Sequence, residues 1–217
     1  MTRQQSPTPD EIIDFWFPDG SEPSLAQHGD LWAWRMRGGA HAAVIAKYSQ
    51  LAEQAAQGEL DDWVATARGR LALIIVLDQF SRSVWAGTPR AYAQDPKALA
   101  LCLEGLENGH YDALENVWQK TQFKLPLEHC ECPEHLANLD RAVLLADKLR
   151  EEAPEHLEPF YESCAQLPRL HRTVIARFGR HSHRNEILAR QSTPVELDYI
   201  ATGKFPHQSD ISKAKKE

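Results

Sequence analysis

The chain has 217 residues, of which 42% are hydrophobic and 25% charged, a composition typical of a soluble globular protein. Its net charge of −7 argues against a broad electrostatic attraction to nucleic acid or to anionic membranes. The longest aliphatic run, Leu71 to Leu77, is too short to span a bilayer, and the polar N-terminus lacks the apolar segment of a signal peptide. We therefore expect a cytoplasmic protein whose four cysteines are reduced thiols.

Helix signals recur along the chain, and no alternating pattern bounded by hairpin turns is present, which predicts an all-α fold. Thr8 begins the sequence Thr-Pro-Asp-Glu, a capping box that predicts a helix through Phe17. An amphipathic pattern closed by glycine predicts a second helix over 40–57. Asp61 is expected to cap a long central helix over 62–82, whose aliphatic face is so broad that it must be covered on most sides.

The second half of the chain continues the helical pattern. The predicted helices run from Asp95 to before Gly109, from Asp112 to Phe123, from Pro133 to Glu152, from Leu157 to Phe178 and from a second capping box at Thr193 to before Gly203. Pro159 and Pro168 are expected to break or kink the fourth of these. We predict one domain over 1–205 that stacks its helices in antiparallel pairs, and a disordered polar tail over 206–217.

The first candidate for chemistry is the acid at the end of the aliphatic run. Asp78 lies four residues before Arg82, so the two side chains share one helical face. One interpretation is a simple ion pair between them. The other is that Asp78 orients Arg82, or another arginine, towards a ligand.

A dense set of possible metal ligands follows Pro126 in the sequence PLEHCECPEH. Cys130 and Cys132 flanked by histidines could contribute to a zinc site. However, no second C-x2-C or H-x3-H block lies at the spacing of a zinc finger. We therefore predict no metal site, and His129 and Glu131 remain the candidates in this segment.

The segment richest in candidate binding residues surrounds Gly179. The freedom of glycine at positive φ would let one helix end there and the chain change direction. Guanidinium groups bind carboxylate or phosphate bidentately, and imidazole titrates near neutral pH. The candidates here are Arg177, Arg180, His183, Arg184 and Asn185. His171, at the spacing of an apolar helix face, is either a core histidine or a further ligand. All of these side chains could instead form a structural network with buried acids such as Asp78 and Glu131.

Three separated segments, LDQFSR (77–82), PLEHCE (126–131) and RFGRHSHRN (177–185), together resemble a bacterial family known as domain of unknown function 924. The resemblance implies a tetratricopeptide-like helical fold and a shared site that includes His129, Glu131 and His171. It implies no reaction. The family commonly has proline where this chain has Ser81 and Ser182, and glycine where it has Ala189; alanine cannot replace a glycine that is required at positive φ.

Three hypotheses for function follow. The first is a pocket that binds a small anionic metabolite through Arg82, Arg180 and Arg184, with His129 or His183 as general acid or base if the ligand is transformed. The second is an interaction scaffold that receives a peptide in a concave helical surface. The third is a metal-dependent enzyme. A homodimer is compatible with all three hypotheses, and the sequence indicates no particular cofactor.

Overall fold

The structure, a computed structural model, describes residues 6–205, and these contain helices and no strand. The predicted all-α fold is therefore confirmed. The helices are α1 (Pro9–Trp16), α2 (Leu25–Met36), α3 (His41–Gln57), α4 (Ala67–Ile75), α5 (Ser81–Val84), α6 (Asp95–Glu107), α7 (Val117–Lys124), α8 (Pro126–His129), α9 (His135–Glu152), α10 (Glu158–Cys164), α11 (Leu167–Phe178) and α12 (Pro194–Ala201). No helix within 6–205 is both long and apolar enough to cross a bilayer. The predicted tail over 206–217 lies outside the described residues.

Local capping sets the ends of several helices as the sequence indicates. Thr8 and Thr193 each form a complete capping box, in which the threonine hydroxyl accepts a hydrogen bond from a backbone N–H and a glutamate bonds back to the cap. Helix α3 ends at Gly58, which has φ of 84°. Ser24 forms a further capping box that begins α2, a helix that the sequence interpretation missed.

The predicted long central helix is wrong in its beginning and in its continuity. Residues Asp61–Ala65 form a 3-10 turn, and Thr66 caps α4 instead by accepting a hydrogen bond from the N–H of Gly69. The helix then widens into a π-helical turn over Val76–Phe80 before α5 continues it. A π-helical turn contains more backbone than an α-helical turn, so extra backbone lies where the aliphatic run ends.

Two later boundaries also differ from prediction. Asn116, rather than Asp112, caps α7, because its side chain accepts a hydrogen bond from the N–H of Gln119. The predicted helix over 157–178 is two helices, α10 and α11, and each has a proline in its first turn. Proline there lacks only an N–H that the helix would leave unpaired, so it begins a helix more readily than it bends one.

The aliphatic segment of α4 and its π-helical turn lies at the centre of the fold. Residues 71–77 are at most 1% exposed, and they are covered by α1, α3, α6 and α7. Helix α9 packs along α11 and also contacts α7, α8 and α10. The burial of this centre holds the π-helical turn in place, and Asp78 within the turn is hydrogen-bonded to His129 of α8. The single-domain and tetratricopeptide-like arrangements stay predictions.

Candidate functional site

A cavity of about 280 Å³ opens where the π-helical turn, α8, α11 and the segment after Gly179 face the residues 35–41 and Trp16 of α1. Its wall is unusually rich in cationic and imidazole side chains for a protein of net negative charge. The basic and imidazole residues that line it include Arg35, Arg82, His129, His171, His181, His183 and Arg184. We refer to this volume as the main cavity.

Asp78 lies on the π-helical turn beside this cavity and is 1% exposed. Single π-helical turns within α-helices occur frequently at functional sites, because the extra residue re-aims the side chains that follow. Here the turn brings three groups onto the Asp78 carboxylate. Nε2 of Gln79 donates to Oδ2 at 2.5 Å, Nη1 of Arg82 lies 3.1 Å from Oδ1, and Nδ1 of His129 lies 2.9 Å from each oxygen.

These contacts determine the charge of Asp78. Burial by itself would raise the pKa of the carboxyl group, but the positive charge of Arg82 and the bonds from His129 and Gln79 outweigh it and hold the pKa below its ordinary value. The carboxylate is therefore ionised near neutral pH. Because Nδ1 of His129 bonds to this carboxylate, Nδ1 carries the hydrogen in the neutral ring, and Nε2 is left with the lone pair.

A second buried carboxylate, Asp95 at the start of α6, holds the two cavity arginines together. Nη2 of Arg82 donates to Oδ2 of Asp95 at 3.2 Å, and Nη1 of Arg184 donates to the same oxygen at 3.1 Å. The guanidinium carbon of Arg184 lies 4.4 Å from the ring centroid of Tyr92, and that of Arg82 lies 5.6 Å from it. Two carboxylates and two guanidinium groups thus form one network with no net charge.

Burial lowers the pKa of Arg184, and the neighbouring charge of Arg82 lowers it further, whereas Asp95 raises it. A guanidinium group still stays protonated throughout the physiological range. Arg184 therefore contributes a fixed positive charge to the wall, and Asp95 stabilises that charge.

The histidines form a contiguous cluster. The ring centroids of His129 and His171 are 6.3 Å apart, those of His171 and His181 are 5.6 Å apart, and those of His181 and His183 are 5.5 Å apart. Burial lowers the pKa of His171 to about 4, although the charge of Glu128 opposes the shift. Burial and the charge of Arg184 lower the pKa of His181 well below its ordinary value. Both rings are consequently neutral at pH 7.

Several predicted site residues lie outside the main cavity. Glu131 accepts hydrogen bonds from the guanidinium of Arg190 and, at 2.7 Å, from the backbone N–H of His181. Arg180 is bound by Glu196 through contacts of 2.7 and 2.8 Å. Asn185 donates to Glu196 at 3.2 Å. These side chains hold the segment 180–196 in place, and none of them lines the main cavity.

Arg177 also lies away from the cavity. Its side chain is exposed, and its guanidinium carbon lies 4.8 Å from the ring centroid of Phe178. The structure therefore brings Arg82, His129, His171, His183 and Arg184 to one wall, with Asp78 directly bonded to that wall.

Sequence reasoning missed other residues of the wall and of its support. Gln79 and His181 lie inside the motifs that were noticed, so adjacency could have identified them. Asp95 was interpreted only as a helix start, and Arg35 and Tyr92 carry no local signal at all, since each reaches the cavity through packing.

A metal site and the four cysteines are the remaining candidates for chemistry. Among residues 6–205, no group of three histidine, cysteine or acidic side chains is placed to hold a metal ion. The four cysteines are free thiols, and burial raises the pKa of Cys130 to about 12. A thiol with that pKa is protonated and unreactive at neutral pH.

Comparisons with known proteins found a family model and a solved structure that match this chain. The family model described as "Bacterial protein of unknown function (DUF924)" matches residues 12–204. A solved structure of a protein of unknown function from Agrobacterium tumefaciens is 30% identical, aligns over 90% of this chain and 97% of its own, and superposes with a TM-score of 0.63. A search of curated proteins returned no match.

Proposed function

We propose, from the premise that this chain belongs to the bacterial DUF924 family, that it binds a small anionic metabolite, a carboxylate or a phosphate, in the main cavity. The family description assigns no reaction, so the proposal rests on the cavity itself. The observation that carries it is that His129, oriented by buried Asp78, lines the same cavity as Arg82 and Arg184.

The two arginines are suited to anion binding because they are fixed before the ligand arrives. Asp95 holds both guanidinium groups, and the face of Tyr92 lies against them. Little side-chain entropy is then lost when an anion binds, which is the usual advantage of a preorganised site. The volume of about 280 Å³ is near the lower end for ligand pockets and suits a small molecule better than a peptide segment.

If the ligand is transformed, we propose that Nε2 of His129 transfers the proton. Its partner Asp78 fixes the tautomer and stabilises the imidazolium that forms when Nε2 accepts a proton, as a buried carboxylate does in other histidine-based catalysts. His183 lines the same wall and is the second candidate for this role. A cytoplasmic location, with reduced cysteines, is part of the proposal.

Thermal unfolding of the purified protein against a panel of phosphates, small carboxylates, C-terminal peptides and divalent metals tests the proposal. A ligand at 100 times its dissociation constant adds roughly 2.7 kcal/mol to the free energy of unfolding, so a selective rise in Tm from one class of small anion is expected. A rise with peptides alone would favour the interaction scaffold instead. A rise with a metal alone would favour the metal-dependent enzyme.

Two arginine variants locate the binding. Arg184→Ala should abolish the rise in Tm, because it removes a guanidinium from the cavity wall. Arg177→Ala is the matched control, since that arginine is exposed and lies outside the cavity. Equal loss of ligand stabilisation in both variants would contradict the assignment of the main cavity.

A further inference from the structure

The main cavity has two chemically different sides. One side, which we call the arginine side, comes from the π-helical turn, α8, α11 and the segment after Gly179, and it carries two guanidinium groups and the histidine cluster. The other comes from α1 and from the residues 35–41 that end α2 and begin α3, and we call it the α2–α3 side. Its members are Trp16, Arg35, Met36, Gly38, Ala40 and His41.

Arg35 belongs to the α2–α3 side but presents no charge to the cavity. Its side chain is 0% exposed. Its Nη1 donates to Oδ2 of Asp19 at 2.5 Å and to the carbonyl oxygen of Trp16 at 3.1 Å, and its Nη2 donates to Oδ1 of Asp19 at 3.2 Å. The guanidinium is therefore neutralised within the core and is not available to a second anion.

Gln122 removes the polar atoms of the two largest side chains on the same side. Its Oε1 accepts a hydrogen bond from Nε1 of Trp16 at 3.3 Å, and its Nε2 donates to Sδ of Met36 at 3.5 Å. Gln122 is itself 2% exposed. The indole N–H and the thioether sulfur are thus bonded within the core, and carbon is the part of Trp16 and Met36 that is left to contact a ligand. Gly38 and Ala40 add no polar side-chain atom.

The charges around the cavity favour a ligand with a single negative charge. The two guanidinium groups of the arginine side are already balanced by two buried carboxylates. Burial lowers the pKa of His171 and of His181, so neither ring adds positive charge at pH 7. On the α2–α3 side, His41 is half-buried, and an imidazole lacks the paired donors with which an arginine binds a carboxylate. A phosphate ester, which carries between one and two negative charges at pH 7, would be less well compensated than a carboxylate.

We propose that the ligand of the main cavity is a monocarboxylate with an apolar carbon body. Its carboxylate binds at Arg82 and Arg184, and its carbon chain or ring lies against Trp16 and Met36. The inference rests on the proposed function, because it assigns the body of the same anion. It narrows the ligand to an apolar carboxylate, as distinct from a sugar phosphate or a dicarboxylate.

Titration calorimetry with butyrate, hexanoate and adipate tests the inference on the whole protein. Hexanoate has two more CH₂ groups than butyrate, and adipate has the length of hexanoate with a second carboxylate in place of the terminal methyl. We expect hexanoate to bind about fourfold to sixteenfold more tightly than butyrate, because a fully buried CH₂ contributes about 0.8 kcal/mol and a half-buried one about half of that. Adipate should bind at least about tenfold more weakly than hexanoate, because its second carboxylate would lose water without gaining a partner.

Met36→Gln locates the carbon body of the ligand. The glutamine places an amide where the thioether carbons lie, so the ratio of the butyrate to the hexanoate dissociation constant should fall at least about threefold. Met36→Leu keeps an apolar side chain and should retain the ratio. Leu144→Gln makes the same apolar-to-amide change at a 71% exposed position of α9 outside the cavity, and it should also retain the ratio. The comparison of ligands on the unmodified protein stands even if a variant fails to fold.

The outcomes separate this inference from the proposal on which it rests. Binding of butyrate or inorganic phosphate with no gain for hexanoate, or equal binding of adipate and hexanoate, would overturn the apolar carboxylate and leave anion binding intact. A gain for hexanoate that is undiminished in Met36→Gln would place the carbon body away from the α2–α3 side and overturn the assignment. Absence of binding by all three carboxylates and by inorganic phosphate would overturn the anion-binding proposal as well.

Discussion

Nδ1 of His129 lies 2.9 Å from both carboxylate oxygens of Asp78, a residue 51 positions earlier in the chain. The same carboxylate also binds Arg82. Asp78 therefore supports two components of the cavity wall at once: it compensates the charge of one arginine and fixes the orientation of one imidazole. Its removal should affect the stability of the fold as well as binding.

Asp78→Asn should lower the free energy of unfolding by about 2 to 3 kcal/mol, which is less than the loss from a fully buried and isolated ion pair, because Asp95 still compensates Arg82 and the Arg82 side chain is 23% exposed. The asparagine amide carries no charge to pair with Arg82. Its nitrogen replaces one carboxylate oxygen, so a donor then faces Nδ1 of His129, which is also a donor. Urea denaturation at pH 7 of the variant and the parent protein measures the loss.

Asp140→Asn is the matched control for this substitution. Asp140 also pairs with an arginine, at 2.5 Å from Arg172, but both side chains are about half exposed. Exposed ion pairs contribute at most about 1 kcal/mol. Similar losses in the two variants would show that the Asp78 network contributes no more than a surface pair.

The extent to which the fold follows from sequence depends on how local each signal is. Thr8, Thr193 and Gly58 end helices through bonds within a few residues, and these predictions are confirmed. Asp61 and Asp112 carry the same kind of signal but do not cap the predicted helices, because Thr66 and Asn116 lie nearby and accept the N–H bonds instead. Competition between neighbouring caps cannot be resolved from residue type alone.

The site is also only partly predictable from residue type, because its contacts join residues that are far apart in the sequence. The Asp78–Arg82 pair follows from helical spacing, and it is present. Arg180 and Arg184 are equivalent in the sequence, yet one binds Glu196 outside the cavity and the other reaches the wall. The sequence predicts the break at Gly179 and the start of α12 after Thr193, but it does not predict how the segment 180–196 folds back between them, and that path decides which arginine reaches the wall.

Ala189 is expected to store backbone strain that glycine would relieve. Its φ is 51°, so alanine does adopt the left-handed conformation that the sequence interpretation reserved for glycine, and it is the one non-glycine residue with positive φ in residues 6–205. The left-handed conformation costs an L-residue roughly 1 to 2 kcal/mol, part of which is offset by the greater freedom of glycine in the unfolded chain. Ala189→Gly should therefore raise the free energy of unfolding by about 0.5 to 1 kcal/mol in urea denaturation.

Ala137→Gly is the control, and it should lower the free energy of unfolding. Ala137 is exposed within α9, where glycine is about 1 kcal/mol less favourable than alanine. If both substitutions destabilised the protein, the inferred strain at Ala189 would be absent.

Two buried helical glycines should respond differently to alanine. A Cβ on Gly29 of α2 would meet no atom within 4 Å, so Gly29→Ala should stabilise the protein by about 0.5 to 1 kcal/mol. A Cβ on Gly105 of α6 would lie 2.4 Å from the ring of Phe123 and 2.7 Å from Cδ of Arg70. Gly105→Ala should destabilise it by about 1 to 3 kcal/mol. Thermal unfolding of both variants measures the difference, and equal shifts in Tm would contradict the packing around Gly105.

The histidine cluster should make stability fall as the solution is acidified from pH 6.5 to pH 4. His171 has a pKa lowered to about 4 by burial, while the unfolded chain protonates near pH 6.5. Between these values the unfolded state binds a proton that the folded state does not, so acid favours unfolding. Glu128 faces His171 and reduces the effect, whereas Arg184, His129 and Lys124 increase it. The loss for one such group is on the order of 3 kcal/mol across the window.

The carboxylates with lowered pKa, such as Asp78 and Glu128, begin to lose their contribution only below about pH 5, where the unfolded chain starts to protonate its acids, so the fall in stability between pH 6.5 and 5 reports the histidines. Urea denaturation at pH 7, 5.5 and 4.5 should give a flatter dependence for His171→Gln than for the parent protein. The variant loses a group whose protonation favours unfolding, so its deficit relative to the parent should shrink as pH falls. His156→Gln, which removes a histidine at an exposed position outside the cluster, is the control for the loss of a histidine. Parallel curves for the parent and His171→Gln would mean that the ring is protonated as readily in the folded state as in the unfolded chain, and the cavity wall would then gain positive charge near neutral pH.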